Sequence, residues 1–282
     1  MKKILMFIIF LIVVGGIFLT VIFNREKDGI PILLYHQVND VDKNQLTVPV
    51  SEFEEQIKYL VDNGYSFITP DEMLNAWESE DGSITLPDKP VIITFDDGYI
   101  DTYKNVYPIL QQYNARITQF VVTDYVNLYP NYLTWDQARE MQASGLVDIE
   151  SHTLSHFNLV DNRLSNHEVQ NQIFGSKQAV EWFMKKPAKY IAYPGGEYTR
   201  EAAELTQQIG YRAAFAVDYG LAHKEPQHFI LPRIPIFGNN SYSMLRFKIR
   251  LRLAPIIAPI YRLKNEMISD GNGVVAQFIW IP

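Results

Sequence analysis

Two short runs hold most of the chemistry. In Pro90-Val91-Ile92-Ile93-Thr94-Phe95-Asp96-Asp97-Gly98-Tyr99 an apolar stretch ends in two adjacent carboxylates and a glycine. Neighbouring side chains on a strand point in opposite directions, but a turn at Asp96-Asp97-Gly98 can swing both carboxylates toward one site. Two carboxylates with different neighbours can divide the work, one on a metal and one as a base. An Asp-Gly turn or a helix cap uses the same residues for structure alone. The second run is Ser151-His152-Thr153-Leu154-Ser155-His156, behind Val147-Asp148-Ile149-Glu150. Histidines four apart share a face if the segment coils into a helical turn, and neutral imidazoles are common metal ligands. Alone, that spacing is weak evidence. Together the runs say more, because both follow stretches expected to be parallel strands and should open on one face. Asp97, His152 and His156 then supply two imidazoles and a carboxylate with open positions for water and substrate, and Asp96 is free to act as a base. His36 follows the apolar run Ile32-Leu33-Leu34-Tyr35 and is expected on the same face. Tyr193-Pro194-Gly195-Gly196 closes a further strand-like run and on its own reads as an ordinary turn.

The elements that must position these groups are well signed. Ser51 with Glu54, Thr69 with Glu72, Thr134 with Gln137 and Ser165 with Glu168 read as capping boxes, and Thr199 opens a further helix. Gly64, Gly145 and Gly210 close three of these helices. Between them lie strand-like runs at 32–35, 91–95, 117–122, 147–150, 190–193 and 213–217. Such alternation predicts a parallel sheet covered by helices. About seven units fit an α/β barrel better than an open sheet, with active residues at the C-terminal ends of the strands.

Composition narrows the possibilities. The 282 residues are 47% hydrophobic and 20% charged, with no cysteine and a net charge of -7. Disulfides, thiolate metal sites and a cysteine nucleophile are excluded, and bulk nucleic-acid binding has no support. Much of the apolar excess lies in Ile4 to Phe23, an uncharged run behind Lys2 and Lys3. Twenty helical residues span about 30 Å, the hydrocarbon thickness of a bilayer. The run is long for a cleavable signal and lacks a small-x-small exit. The lysines ahead of it keep the N-terminus in the cytoplasm and export the rest, so the expectation is a single-pass membrane anchor with an extracellular domain, or a secreted domain if the segment is cleaved. Near the other end, Leu245 to Leu253 alternates apolar and basic residues, which predicts a strand. Ala254 to Pro259 is expected to interrupt any long helix. This basic segment reads as a solvated edge strand, or as a face lying on anionic lipid or an anionic wall polymer.

Thr94-Phe95-Asp96-Asp97-Gly98 with Ser151-His152-Thr153-Leu154-Ser155-His156 resembles the polysaccharide deacetylase family, carbohydrate esterase family 4. The resemblance runs from about Pro31 to Ile236. Leu34-Tyr35-His36 and Leu231-Pro232-Arg233-Ile234-Pro235 are similar to the branch acting on poly-N-acetylglucosamine exopolysaccharides. The resemblance implies a distorted (β/α)7 barrel with parallel strands, placed at residues 29–240 between the anchor at 1–28 (helix 4–23) and the basic extension at 241–282 read from composition. It implies metal-dependent hydrolysis of N-acetyl groups, with Asp97, His152 and His156 binding the metal, Asp96 as base and His36 as general acid. Zinc is the expected ion, with Co2+, Ni2+ or Mn2+ as alternatives. Three departures stand out. The family's Arg-x-Pro-Tyr-Gly segment is here Ala192-Tyr193-Pro194-Gly195-Gly196, so the role of an arginine beside the base is vacant or filled from elsewhere, with Arg233 as the candidate. The late Leu-x-x-His segment is absent, which leaves the acid role to His36 with His228 as fallback. Glu150 stands where glycine is common and would add a carboxylate near the metal. Tyr193, Pro194, Gly195 and Arg233 are the expected substrate or oxyanion contacts. Peptidoglycan N-acetylglucosamine is an alternative substrate, and a degenerate glycan-binding barrel is the non-catalytic alternative.

Overall fold

The computed structural model describes residues 28–224, 228–238 and 242–269, side chains of the last helix only to 264, and isolated positions before residue 28. In chain order the elements are β1 (Ile32–Tyr35), the short β2 (Gln37–Val38) and β3 (Thr47–Val48), α1 (Val50–Asp62), β4 (Ser66–Phe67), α2 (Pro70–Glu78) and β5 (Pro90–Phe95). A π-helical turn (Thr102–Val106) then leads into α3 (Tyr107–Tyr113), followed by β6 (Ile117–Val121), α4 (Trp135–Ala143), β7 (Val147–Ser151), α5 (Asn166–Met184) and β8 (Tyr190–Ala192). A 3-10 turn (Pro194–Gly196), α6 (Arg200–Gln208), β9 (Ala213–Phe215), β10 (Ile234–Pro235), α7 (Ser243–Arg252) and α8 (Ala254–Ser269) complete the described chain.

The main sheet runs β10-β1-β5-β6-β7-β8-β9 with every neighbour parallel. Residues 231–235 reach both edges, because Leu231 bridges to Phe215 of β9 while β10 pairs with β1. The sheet therefore curls into the expected α/β barrel. Alternation along each strand builds two apolar layers. Leu33, Tyr35, Ile93, Phe95, Ile149 and Ile191 pack outward against the helices. Ile32, Ile92, Phe120, Tyr190, Ala192 and Phe215 fill the inside. Each such buried aliphatic or phenyl side chain is worth about 1.5–3 kcal/mol relative to exposure.

The helix α2 plugs the N-terminal end of the barrel. Its first turn, capped by Thr69 and Glu72 as the sequence predicts, offers carboxylates to cations at the starts of three strands. Asp71 pairs with Lys189 at 2.6 Å and Arg212 at 2.8 Å, and Arg116 donates to Glu72 at 3.0 Å. The opposite, C-terminal end stays open for chemistry. The boxes at Thr134 and Ser165 also form. The box expected at Ser51 does not: the N-cap position falls two residues earlier, at Pro49, with no side-chain cap.

The tail overturns its alternation. Residues 245–252 lie within α7, and α8 runs from Ala254 through Pro259. A helix buries Phe247 and Leu251, four apart, while the basic residues beside them use their stems and charges on aromatic faces. Lys248 and Arg252 sit over Tyr59 at 5.1 and 5.5 Å, and Arg250 over Tyr219 and Phe237 at 5.3 and 5.2 Å. Pro255 falls in the first turn of α8, where no backbone donor is needed. The spanning helix expected at residues 4–23 falls largely outside the described residues. Among the described residues no helix is long and apolar enough to cross a membrane.

Candidate active site

The open end of the barrel collects the residues singled out by type. Inward alternation on β5 aims Asp96 into the barrel, and the chain then turns left-handed at Asp97 (φ 71°) and Gly98 (φ 85°). That turn brings the second carboxylate to the same mouth. A Cβ at Gly98 would stand 3.0–3.3 Å from Val121, so the position combines positive φ with a close approach. The β1–β5 register pairs Tyr35 with Phe95, which sets His36 beside Asp96.

His152 and His156 meet without the expected helical turn. They sit in a loop after β7 in which Thr153 (φ 67°) and His156 (φ 60°) are left-handed, and their rings lie 4.9 Å apart. The loop is clamped from two sides: Thr123 and Asp124 donate to the Thr153 and Leu154 carbonyls, and Gln172 of α5 accepts from the Ser155 N–H at 2.9 Å. With Asp97, three non-glycine residues in a sparsely populated region gather at one site, a pattern typical of over-determined functional geometry.

The donor set suits a cation. Ligand atoms of Asp97, His152 and His156 lie within 4.8 Å of one another, and Asp97 Oδ1 is 3.4 Å from Nε2 of each histidine. His152 Nδ1 faces the Ala192 carbonyl at 2.9 Å. That contact puts the proton on Nδ1 and leaves the Nε2 lone pair toward the cluster. Burial alone would lower the His152 pKa, but Asp96 and Asp97 outweigh it and raise it. Burial likewise pushes Asp97 up, and the histidines bring it down to about 2. The field that holds a proton on His152 would hold a divalent ion in its place, with release of that proton. Two imidazoles and one carboxylate leave further positions open.

Arg233 is fully buried and takes the place beside the base where the family's Arg-x-Pro-Tyr-Gly segment would supply an arginine. It reaches Asp96 from the closing strand with a two-pronged pairing at 2.7 and 2.8 Å. Its Nε donates to the Ala216 carbonyl at 2.8 Å. Burial pushes the Asp96 carboxyl up, yet the Arg233 and His152 charges hold it below its ordinary value. His36 is lowered by burial, against the pull of Asp96 and Asp97.

The 3-10 turn after β8 divides its roles by backbone. The Tyr193 N–H donates to Phe215 and the Gly196 N–H to Tyr193, and Pro194 has none. The Gly195 N–H is left free of an acceptor among the described residues. The Tyr193 ring is a correction: it is buried outward, with its hydroxyl on the Phe229 carbonyl at 3.1 Å and its face on Tyr198. Two further expectations fail. The Glu150 carboxylate does not face the metal cluster. It takes the N–H groups of Lys189 and Tyr190, each at 2.9 Å, and Lys186 at 2.7 Å. It thereby fills the gap where β7 and β8 pair at one position, Ser151 with Ile191. Burial and Asp148 push it up to about 8 against those donors. His228 lies against Trp77 of α2, ring centroids 5.5 Å apart and tilted, at the plugged end of the barrel. Sequence reasoning missed Gln119, whose buried amide holds the Phe95 and Asp96 carbonyls at 3.1 and 3.3 Å. A polar residue inside the β6 run was its only signal.

A family model described as polysaccharide deacetylase matches residues 83–214. The chain is 33% identical over 214 residues to YxkH of Bacillus subtilis (strain 168), assigned by name to the polysaccharide deacetylases, covering 76% of this chain and 74% of that one. It is 29% identical over 223 residues to the poly-beta-1,6-N-acetyl-D-glucosamine N-deacetylase of Staphylococcus aureus (strain MRSA252), with 75% of each chain covered. Among solved structures it is similar to the Streptococcus pyogenes deacetylase PplD in complex with acetate, at TM-score 0.70 and 29% identity, covering 78% of this chain and 97% of that one.

Proposed function

This chain belongs to the polysaccharide deacetylase family, carbohydrate esterase family 4, and on that premise we propose that it removes N-acetyl groups from an extracellular N-acetylglucosamine exopolysaccharide. One observation carries the reading: a buried carboxylate, Asp96, is fixed by Arg233 next to a converging Asp97, His152 and His156. The S. aureus relative, named for poly-beta-1,6-N-acetyl-D-glucosamine, supports this polymer over peptidoglycan.

A divalent ion, zinc by preference, held by Asp97, His152 and His156 would polarise the acetamide carbonyl and make water a better nucleophile. Asp96 takes the proton of the attacking water as that oxygen bonds to the carbonyl carbon. Arg233 keeps Asp96 ionised and in one orientation, at two hydrogen bonds. The Gly195 N–H donates to the developing oxyanion. His36 in its protonated form gives a proton to the sugar nitrogen as the carbon–nitrogen bond breaks. Its lowered pKa makes that form a strong donor. The products are acetate and a free amine on the polymer. The uncharged run Ile4–Phe23 behind two lysines supports anchoring in the cell membrane with the barrel outside.

The test is acetate release from β-1,6-linked N-acetylglucosamine oligomers and from peptidoglycan, with and without a chelator. Release from the oligomers, lost on chelation and restored by Zn2+, is expected. Release from peptidoglycan alone would overturn the substrate, and release from neither would overturn the function.

A further inference from the structure

Four tyrosines form a connected aromatic surface beside Asp97. Tyr99 and Tyr132 stack at 4.9 Å, Tyr125 meets Tyr132 edge-on at 5.0 Å, and Tyr129 lies 5.3 Å from Tyr125 and 5.9 Å from Tyr132. The backbone builds this surface into the site. Tyr99 and Tyr132 form an antiparallel bridge, Leu133 donates to the Gly98 carbonyl and Ile100 to the Asn131 carbonyl, both at 2.9 Å. The loop after β6 is thus pinned to the turn that presents Asp97.

These rings are not part of the core. The same loop buries Val126 and Leu133, while its tyrosines stay partly exposed and Tyr129 is 46% accessible. Half-exposed aromatic rings held edge and face to one another offer a rigid apolar surface with polar hydroxyls at its border. A pyranose ring has the complementary chemistry, a face of C–H bonds rimmed by hydroxyl and acetamido groups. We propose that Tyr99, Tyr125, Tyr129 and Tyr132 form a stacking subsite that holds a sugar ring of the polymer next to the residue being deacetylated. The proposal rests on the functional reading above and adds where the polymer lies: across the Asp97 side of the mouth, along the loop at 124–133. A second sugar held there makes the enzyme favour chains over single sugars.

The experiment compares KM for acetate release from single N-acetylglucosamine and from its β-1,6-linked hexamer in the full chain and in Tyr129→Ala, Tyr132→Ala and Tyr129→Phe. Thermal melts check that each variant is folded, and Trp182→Ala, an exposed aromatic on α5, is the control. Loss of one aromatic contact should raise the hexamer KM about fivefold and shrink the advantage of hexamer over single sugar. Tyr129→Phe keeps the face and should keep that advantage. Because Tyr129 is the most accessible of the four, its variant remains informative if Tyr132→Ala does not fold. An active wild type whose hexamer KM is unchanged in folded Tyr129→Ala would overturn the subsite alone. A wild type that releases acetate from no N-acetylglucosamine oligomer would overturn the functional reading and this proposal with it.

Discussion

Replacing Arg233 by Met should damage both the fold and the reaction, and the structure sets the size of each effect. The guanidinium is fully buried and makes four hydrogen bonds: two to Asp96 at 2.7 and 2.8 Å, one to the Ala216 carbonyl at 2.8 Å and one to Thr94 at 3.3 Å. Methionine fills much of the volume and supplies none of them. Asp96 is then a buried carboxylate without its cation. Breaking a buried pair from one side costs about 3–5 kcal/mol. At roughly 2–4 °C per kcal/mol for a chain of this size, the melting temperature should fall by about 10 °C. Without Arg233 the carboxylate also loses its ionised, oriented state, and general-base catalysis is worth about 10²–10⁴-fold. Acetate release should therefore fall at least about 100-fold. Asp96→Asn in the Arg233→Met background removes the stranded charge. It should recover much of the stability and none of the activity. Thermal melts and acetate assays on Arg233→Met, Asp96→Asn and the double variant complete the cycle. An Arg233→Met protein melting within about 2 °C of wild type and releasing acetate within about twofold of its rate would refute the pairing as the device that sets the base.

Three further outcomes follow from particular contacts. Gly196→Ala should lower stability by more than about 1–2 kcal/mol and depress acetate release, since φ is 71° and the new Cβ would stand 2.4 Å from the Val217 backbone nitrogen. Unchanged melting would show that the turn can move. Glu150→Ala should cost about 1–3 kcal/mol by stranding the Lys189 and Tyr190 N–H groups, with bound metal unchanged. Loss of metal in a folded variant would contradict the orientation of that carboxylate. For Asp71, burial raises the pKa, but Lys189, Tyr190 and Arg212 outweigh it and leave it below its ordinary value. A depressed folded value means the stabilisation is present above the unfolded pKa, near 4, and is lost as pH falls through the folded value. Asp71→Asn should then be less stable than wild type at pH 7, with the gap closing in acid. A gap that widened in acid would contradict the sign.

The fold was legible where one local signal decided the outcome. Apolar runs ending in Asp96-Asp97, His152 and His36 marked strand ends, and capping residues at Thr69, Thr134 and Ser165 marked helix starts. The convergence of Asp97, His152 and His156 followed from parallel strands opening on one face. What sequence spacing missed came from competing or distant contacts. The helical turn expected between the histidines is replaced by left-handed residues braced by β6 and α5, contacts distant in sequence. The alternation at 245–253 fits a strand, but Tyr59, Tyr219 and Phe237 accept the basic side chains and so stabilise a helix. Glu150 was set near the metal by its spacing from His152. Unpaired donors at the start of β8 claim it instead.

The central claim is tested most directly by measuring bound metal and acetate release together in wild type, Asp97→Ala and His152→Ala. The account predicts one divalent ion per wild-type chain, little or none in either variant, and loss of deacetylation with the ion. A folded Asp97→Ala or His152→Ala protein that still deacetylates an N-acetylglucosamine oligomer at the wild-type rate would contradict it.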